Sequence, residues 1–177
     1  MTPLALPRKG LIVTEGIILT ILGILSVAWP VVSTFGVELL IGWLLLIGGI
    51  VQGYRAFKTK DAPGFWGTLL LSLVFLIAGI LWVIYPVVGV ISLTVLLIFF
   101  FLLEGISQIY LAFELRRFSG WGWLLANGLL SLAMAAIIWG NWPASALWVA
   151  GLLFGINLIF FGASLFFFGL RLGDLEK

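Results

Sequence analysis

The sequence contains no cysteine and no histidine, and only 9% of its 177 residues are charged. Without cysteine there is no disulfide and no thiolate chemistry. The lack of histidine removes the commonest general base, and the two absences together remove the usual transition-metal ligands. No cofactor is expected. A soluble domain carries about 25% charged residues, so a chain with this few could not cover its own surface in water. The net charge of +2 is too small to imply nucleic acid. What is present is apolar: 63% of the residues are hydrophobic and the mean hydropathy is +1.29. The solvent for most of this chain is therefore lipid.

A helix rises 1.5 Å per residue, so about 20 apolar residues cross a hydrocarbon core about 30 Å thick. Six segments qualify: Leu11–Trp29, Thr34–Tyr54, Phe65–Tyr85, Val88–Phe113, Trp121–Gly140 and Ala144–Leu170. No strand alternation competes with them, and lipid admits only helices or closed barrels. The apolar run after Arg8 and Lys9 resembles a signal peptide, but it continues to Trp29-Pro30 without a small-residue cleavage site. It is expected to stay as the first span. The fold class is an all-α, polytopic membrane bundle, and residues 1–177 are expected to form a single transmembrane domain.

The connections alternate in charge. Pro30-Val31-Val32-Ser33, Pro86-Val87 and Asn141-Trp142-Pro143 carry no basic residue. The opposite side holds all nine: Arg8, Lys9, Arg55, Lys58, Lys60, Arg116, Arg117, Arg171 and Lys177. Short loops follow the positive-inside rule, which places this side and both termini in the cytoplasm. Trp29, Tyr85 and Trp142 lie at the uncharged turns, and Tyr54, Trp66, Tyr110, Trp121 and Trp123 near the charged ends. Amphipathic rings favour the membrane interface, so anchoring is their expected role.

A hairpin repeats three times, over about 11–57, 65–113 and 121–170. Moving the first by 56 residues sets Gly23-Ile24-Leu25 on Gly79-Ile80-Leu81 and Pro30-Val31-Val32 on Pro86-Val87-Val88. The same shift sets Gly49-Ile50-x-Gln52-x-Tyr54 on Gly105-Ile106-x-Gln108-x-Tyr110. Moving the second by 57 brings Trp66 to Trp123, Pro86 to Pro143 and Gly105 to Gly162. Each unit has two spans, so all three enter the membrane in the same sense. They are parallel repeats about an axis along the membrane normal, and a ring of three with approximate threefold symmetry is one simple arrangement. Gly49-x-x-x-Gly53 and Gly151-x-x-x-Gly155 fit close helix packing, with bundle interior favoured over dimerisation.

Ala28-Trp29-Pro30, Gly42-Trp43-Leu44-Leu45-Leu46-Ile47-Gly48-Gly49-Ile50, Gly120-Trp121-Gly122-Trp123 and Trp142-Pro143-Ala144-Ser145-Ala146-Leu147-Trp148 together resemble the HdeD-like family of small bacterial membrane proteins. The resemblance runs from about Gly16 to Leu170. It implies a six-span inner-membrane protein with a link to acid resistance, and it supplies no catalytic residues. Position 157 is often acidic in such proteins. Asn157 here counts against proton handling at that place.

Any chemistry must use polar groups that lipid makes costly. Glu15 fits pairing with Arg8 or Lys9, or a place among headgroups. Glu38 falls one turn into span two, where Thr34 would cap the helix and the helix dipole favours a carboxylate; an outer-mouth carboxylate would also attract cations. Glu104, well inside span four, is expected to be the deepest charge. Gln52 and Gln108 are repeat-equivalent amides, and Asn127 and Asn157 lie within spans five and six. Interhelical hydrogen bonding is the plain reading of this set. For Glu104, Gln52 and Asn157 are the expected partners. Ser72, Ser107 and Ser131 have no histidine or lysine in the membrane to activate them, which argues against an enzyme. The first functional reading is a stress-linked membrane protein that binds or stabilises membrane components without catalysis. Its partners would be lipids, a second copy of the chain or other membrane proteins. The alternative is a small channel or transporter with Glu104 as a proton- or ion-linked carboxylate.

Overall fold

The computed structural model describes residues 9–60 and 63–175, with side chains from 10 to 171. Arg8, Asp61 and Lys177, and the side chain of Lys9 proposed as a partner for Glu15, lie outside the described residues. Six helices are long and apolar enough to cross a membrane. They are α1 (Lys9–Ala28), α2 (Pro30–Lys58), α3 (Phe65–Ile84), α4 (Pro86–Glu114), α5 (Trp121–Gly140) and α6 (Val149–Leu175). A 3-10 turn over Ala144–Leu147 leads into α6.

The proline turns are tighter than the sequence suggests. Trp29 alone separates α1 from α2, and Tyr85 alone separates α3 from α4. Proline takes the first helical position in both cases, where its missing N–H costs nothing. It also pushes the preceding residue out of the α region, which stops the earlier helix. Trp29 (φ −125°, ψ 66°) and Tyr85 (φ −121°, ψ 71°) share one backbone conformation. Span two therefore begins at Pro30 rather than Thr34, and span four at Pro86 rather than Val88.

The third repeat departs at its turn. From α3 to α5 the start moves from Phe65 to Trp121 and the end from Ile84 to Gly140, 56 residues in both cases. The helices are preceded by Gly64 and Gly120, at φ 102° and 100°, a left-handed conformation that glycine adopts without a Cβ clash. The extra residue of the third repeat thus sits at Asn141-Trp142-Pro143, where the 3-10 turn replaces the first turn of helix. Trp66 and Trp123, identical at an offset of 57, are not at equivalent places in the fold.

Packing is closest between neighbouring repeats. α2 lies along α3, α4 along α5, and α6 along α1, which closes a ring from the last helix to the first; α2, α4 and α6 meet inside it. The equivalent glycines Gly49, Gly105 and Gly162 mark the seams. A Cβ on them would come within 2.8 Å of Leu76, 2.7 Å of Leu132 and 2.6 Å of Thr20. Both GxxxG pairs serve the interior: Gly53 faces Ser72, and Gly155 faces Gly23. Leucine, isoleucine and phenylalanine cover the outside, while the buried positions of α2 are Thr34, Glu38, Gly42, Gly49 and Ala56. Lipid is as apolar as leucine, so helices associate through close backbone approach and not by hiding large side chains.

Candidate functional site

The described basic residues stand at one end of the bundle and the proline turns at the other. Near the proline-turn end the interior is polar. Thr34, Glu38, Thr94 and Ser145 are fully buried, on α2, α4 and the 3-10 turn. Thr34 does not cap α2. Its hydroxyl donates to the Pro30 carbonyl at 2.9 Å and accepts the Gly151 N–H at 2.9 Å. That N–H is one of the donors a helix start leaves unpaired, so α2 caps α6 across the interface. The Ser26 hydroxyl donates to the Gly151 carbonyl at 2.8 Å and ties α1 to the same point. A side chain at Gly151 would collide with the Pro30 carbonyl.

Glu38 sits two turns into α2, since that helix starts at Pro30. Its side chain is 0% exposed, and neither carboxyl oxygen has a hydrogen-bond partner among the described residues. It occupies the space that Gly89 of α4 leaves open; a Cβ there would land on Oε1. Glu38, and not Glu104, is the most enclosed of the described carboxyl groups.

Glu104 lies in the second half of α4 and is half-buried. Its Oε1 accepts a hydrogen bond from Gln108 Nε2 at 2.9 Å, one turn along its own helix. The partners expected for it are elsewhere. Asn157 is exposed on α6 and donates to the Leu153 carbonyl at 3.1 Å. Gln52 is half-buried on α2, and its side chain hydrogen-bonds to none of the described residues. Depth along a span and the direction a side chain faces are separate conditions, and span position supplies only the first. Gln108 Oε1 is buried with no hydrogen-bond partner among the described residues.

Glu104 opens onto a cleft of about 340 Å³ between α4, α5 and α6, which brings it together with Asn127 and Ser131. Phe101, Met134 and Leu153 add apolar wall. A larger cleft of about 700 Å³ lies between α1, α2 and α6, lined by Leu19, Leu22, Ser26, Leu40 and Leu158 among others. In the repeat register Ser131 corresponds to Leu19, Met134 to Leu22, Leu153 to Leu40 and Phe101 to Leu158. The ring therefore builds two overlapping clefts at equivalent places, and only the smaller extends to a carboxylate and an amide. The sequence singled out Glu104 and Asn127 but not Ser131 as their neighbour, nor Ser26 and Gly89, and it marked Gly151 only as half of a GxxxG pair. The only trace of these is small or hydroxyl residues at helical spacing.

The family described as "Short repeat of unknown function (DUF308)" matches twice, over residues 14–84 and 70–140. The two matches begin and end 56 residues apart, in the register the helices follow. The chain is also similar to "Protein HdeD" of Escherichia coli (strain K12), of Escherichia coli O157:H7 and of Shigella flexneri. Identity is 29% over 148 residues, covering 81% of this chain and 77% of theirs. No solved structure matches.

Proposed function

The chain belongs to the short-repeat DUF308 family as an HdeD-like, multi-pass bacterial membrane protein, and from this premise we propose that it serves the acid-stress response by binding and stabilising membrane components, without catalysis. The observation that carries the reading is the pair of repeat-related clefts. Both lie where the two helices of a hairpin splay apart, because each helix packs on the neighbouring repeat. Such clefts open sideways and suit lipid or another membrane component. The sealed packing around Glu38 also supports binding over conduction.

The test has two arms. In a bacterium lacking its own HdeD-like proteins, this chain should raise survival of acid shock at least tenfold. In proteoliposomes with an internal pH dye it should add no proton flux over empty vesicles. Unchanged survival defeats the stress role. A protein-dependent flux abolished by Glu104→Gln would instead establish the channel or transporter reading, which the cleft beside Glu104 favours.

The placement is the cytoplasmic membrane, with both termini and the loops at 55–64 and 114–120 inside. The one-sided basic residues support this orientation. Ser33→Cys, beside the first proline turn, should react with an impermeant maleimide from outside, and Ser119→Cys only after lysis. Reaction of both from one side overturns the topology.

A further inference from the structure

We infer that the cleft between α4, α5 and α6 is a binding site for an amphipathic ammonium, with Glu104, Asn127 and Ser131 holding the amine and the apolar tail leaving between α5 and α6. The inference rests on the binding role proposed above and names the chemistry of one site.

The polar groups here have unspent capacity. Glu104 spends Oε1 on Gln108 and has its second oxygen left. Asn127 and Ser131 line the cleft, and neither side chain hydrogen-bonds to a described residue. A carboxylate in lipid requires a counter-charge or a proton. None of the cleft residues is basic, and the described lysines and arginines stand at the helix ends and loops. The ligand is then the source of the cation. Asn127 and Ser131 offer acceptor oxygens for the remaining ammonium hydrogens.

Size and wall agree with that ligand. A cleft of about 340 Å³ is at the small end of ligand pockets, roughly 300–1,000 Å³, and holds an ammonium with several methylenes. Phe101, Leu130 and Leu153 supply apolar surface, and Met134 an adaptable one. α5 and α6 scarcely touch, so a longer tail has an exit to lipid.

The repeat supplies the internal control. The equivalent cleft has Leu19 where this one has Ser131, and the register counterparts of Glu104 and Asn127 are Phe161 and Glu15, neither of which lines it. No charged residue lines that cleft, so a carboxylate on its wall is not a requirement of the packing. An intramembrane ionisable group that the packing does not need points to function.

Dodecylammonium titrated into the full chain in phosphatidylcholine nanodiscs, with empty discs subtracted, tests the site by calorimetry. Saturable binding at one site per chain is expected, with dodecanol at least tenfold weaker. Glu104→Gln should weaken binding tenfold or more, and Glu114→Gln, at the exposed end of α4, should leave it unchanged. If Glu104→Gln misfolds, Ser131→Leu introduces the residue the fold already accepts at Leu19, and it too should abolish binding. Discs containing phosphatidylethanolamine separate the sources: competition assigns the amine to a lipid headgroup, and none assigns it to a free amphiphile. Uptake equal to empty discs, equal affinity for dodecanol, or full binding by both variants overturns the inference. Survival and flux do not depend on this titration, so either proposal can fail alone.

Discussion

Gly162→Val breaks the seam between the first and last helices and gives the largest loss of stability of any single change considered. A Cβ at position 162 would lie 2.6 Å from the Thr20 nitrogen and 2.7 Å from the Gly16 carbonyl oxygen. Both are backbone atoms in a helix, so no side chain can turn aside. Overpacking a tight interior costs about 1–3 kcal/mol and more where the backbone must move. The expected loss is at the upper end, about 3 kcal/mol, because α6 must leave α1 along several turns that Gly16, Gly23, Gly155 and Gly162 now hold close. Tryptophan fluorescence during denaturant unfolding in detergent measures it. Gly36→Ala is the contrast: nothing lies within 4 Å of a Cβ there, and helix propensity favours alanine by about 1 kcal/mol. Equal stability of Gly162→Val and the natural protein would mean that the ring does not close through α1 and α6.

Gly89→Ala destabilises the centre by about 1–3 kcal/mol, and shortening Glu38 restores it. The new methyl group falls on Glu38 Oε1, in an interior where that side chain is 0% exposed. Glu38→Ala frees the space, so the double variant should be more stable than the two single changes add up to. A coupling of about 0.5–3 kcal/mol is typical of residues in contact. Additive effects would show that the two are not in contact. Glu38→Met, similar in length and apolar, should gain about 1–3 kcal/mol, since none of the described residues hydrogen-bonds the buried carboxyl. If that stabler protein also loses acid survival, Glu38 is kept for function at a cost in stability. If survival is unchanged, Glu38 has no part in it.

Glu38 and Glu104 show where reading the chain alone stopped. Counting from a start at Thr34 places Glu38 one turn into span two, near the outer turn. Proline at the first position of α2 starts the helix four residues earlier and sets Glu38 deeper, buried against Gly89 of α4. Glu104 was legible as an intramembrane carboxylate. Its hydrogen bond to Gln108 was not foreseen, although a spacing of four along one helix allows it. Asn127 and Ser131 occupy adjacent turns of α5, and only the splay of α5 from α6 turns that face into a cleft with Glu104.

The six spans, the proline turns and the 56-residue repeat were determined by the sequence itself. Lipid requires each helix to satisfy its own backbone, so span length and turn chemistry are local properties that composition displays. The tertiary structure decided which faces meet. It set the close pairing of each repeat with the next, the closure of α6 on α1, and the extra residue at the third proline turn. It also made one cleft apolar and its counterpart polar. The physical reason is that leucine gains nothing by leaving lipid for a bundle interior. With no contrast between inside and outside in the hydrophobic pattern, only the fit of glycine, serine and threonine against neighbouring backbones specifies the arrangement.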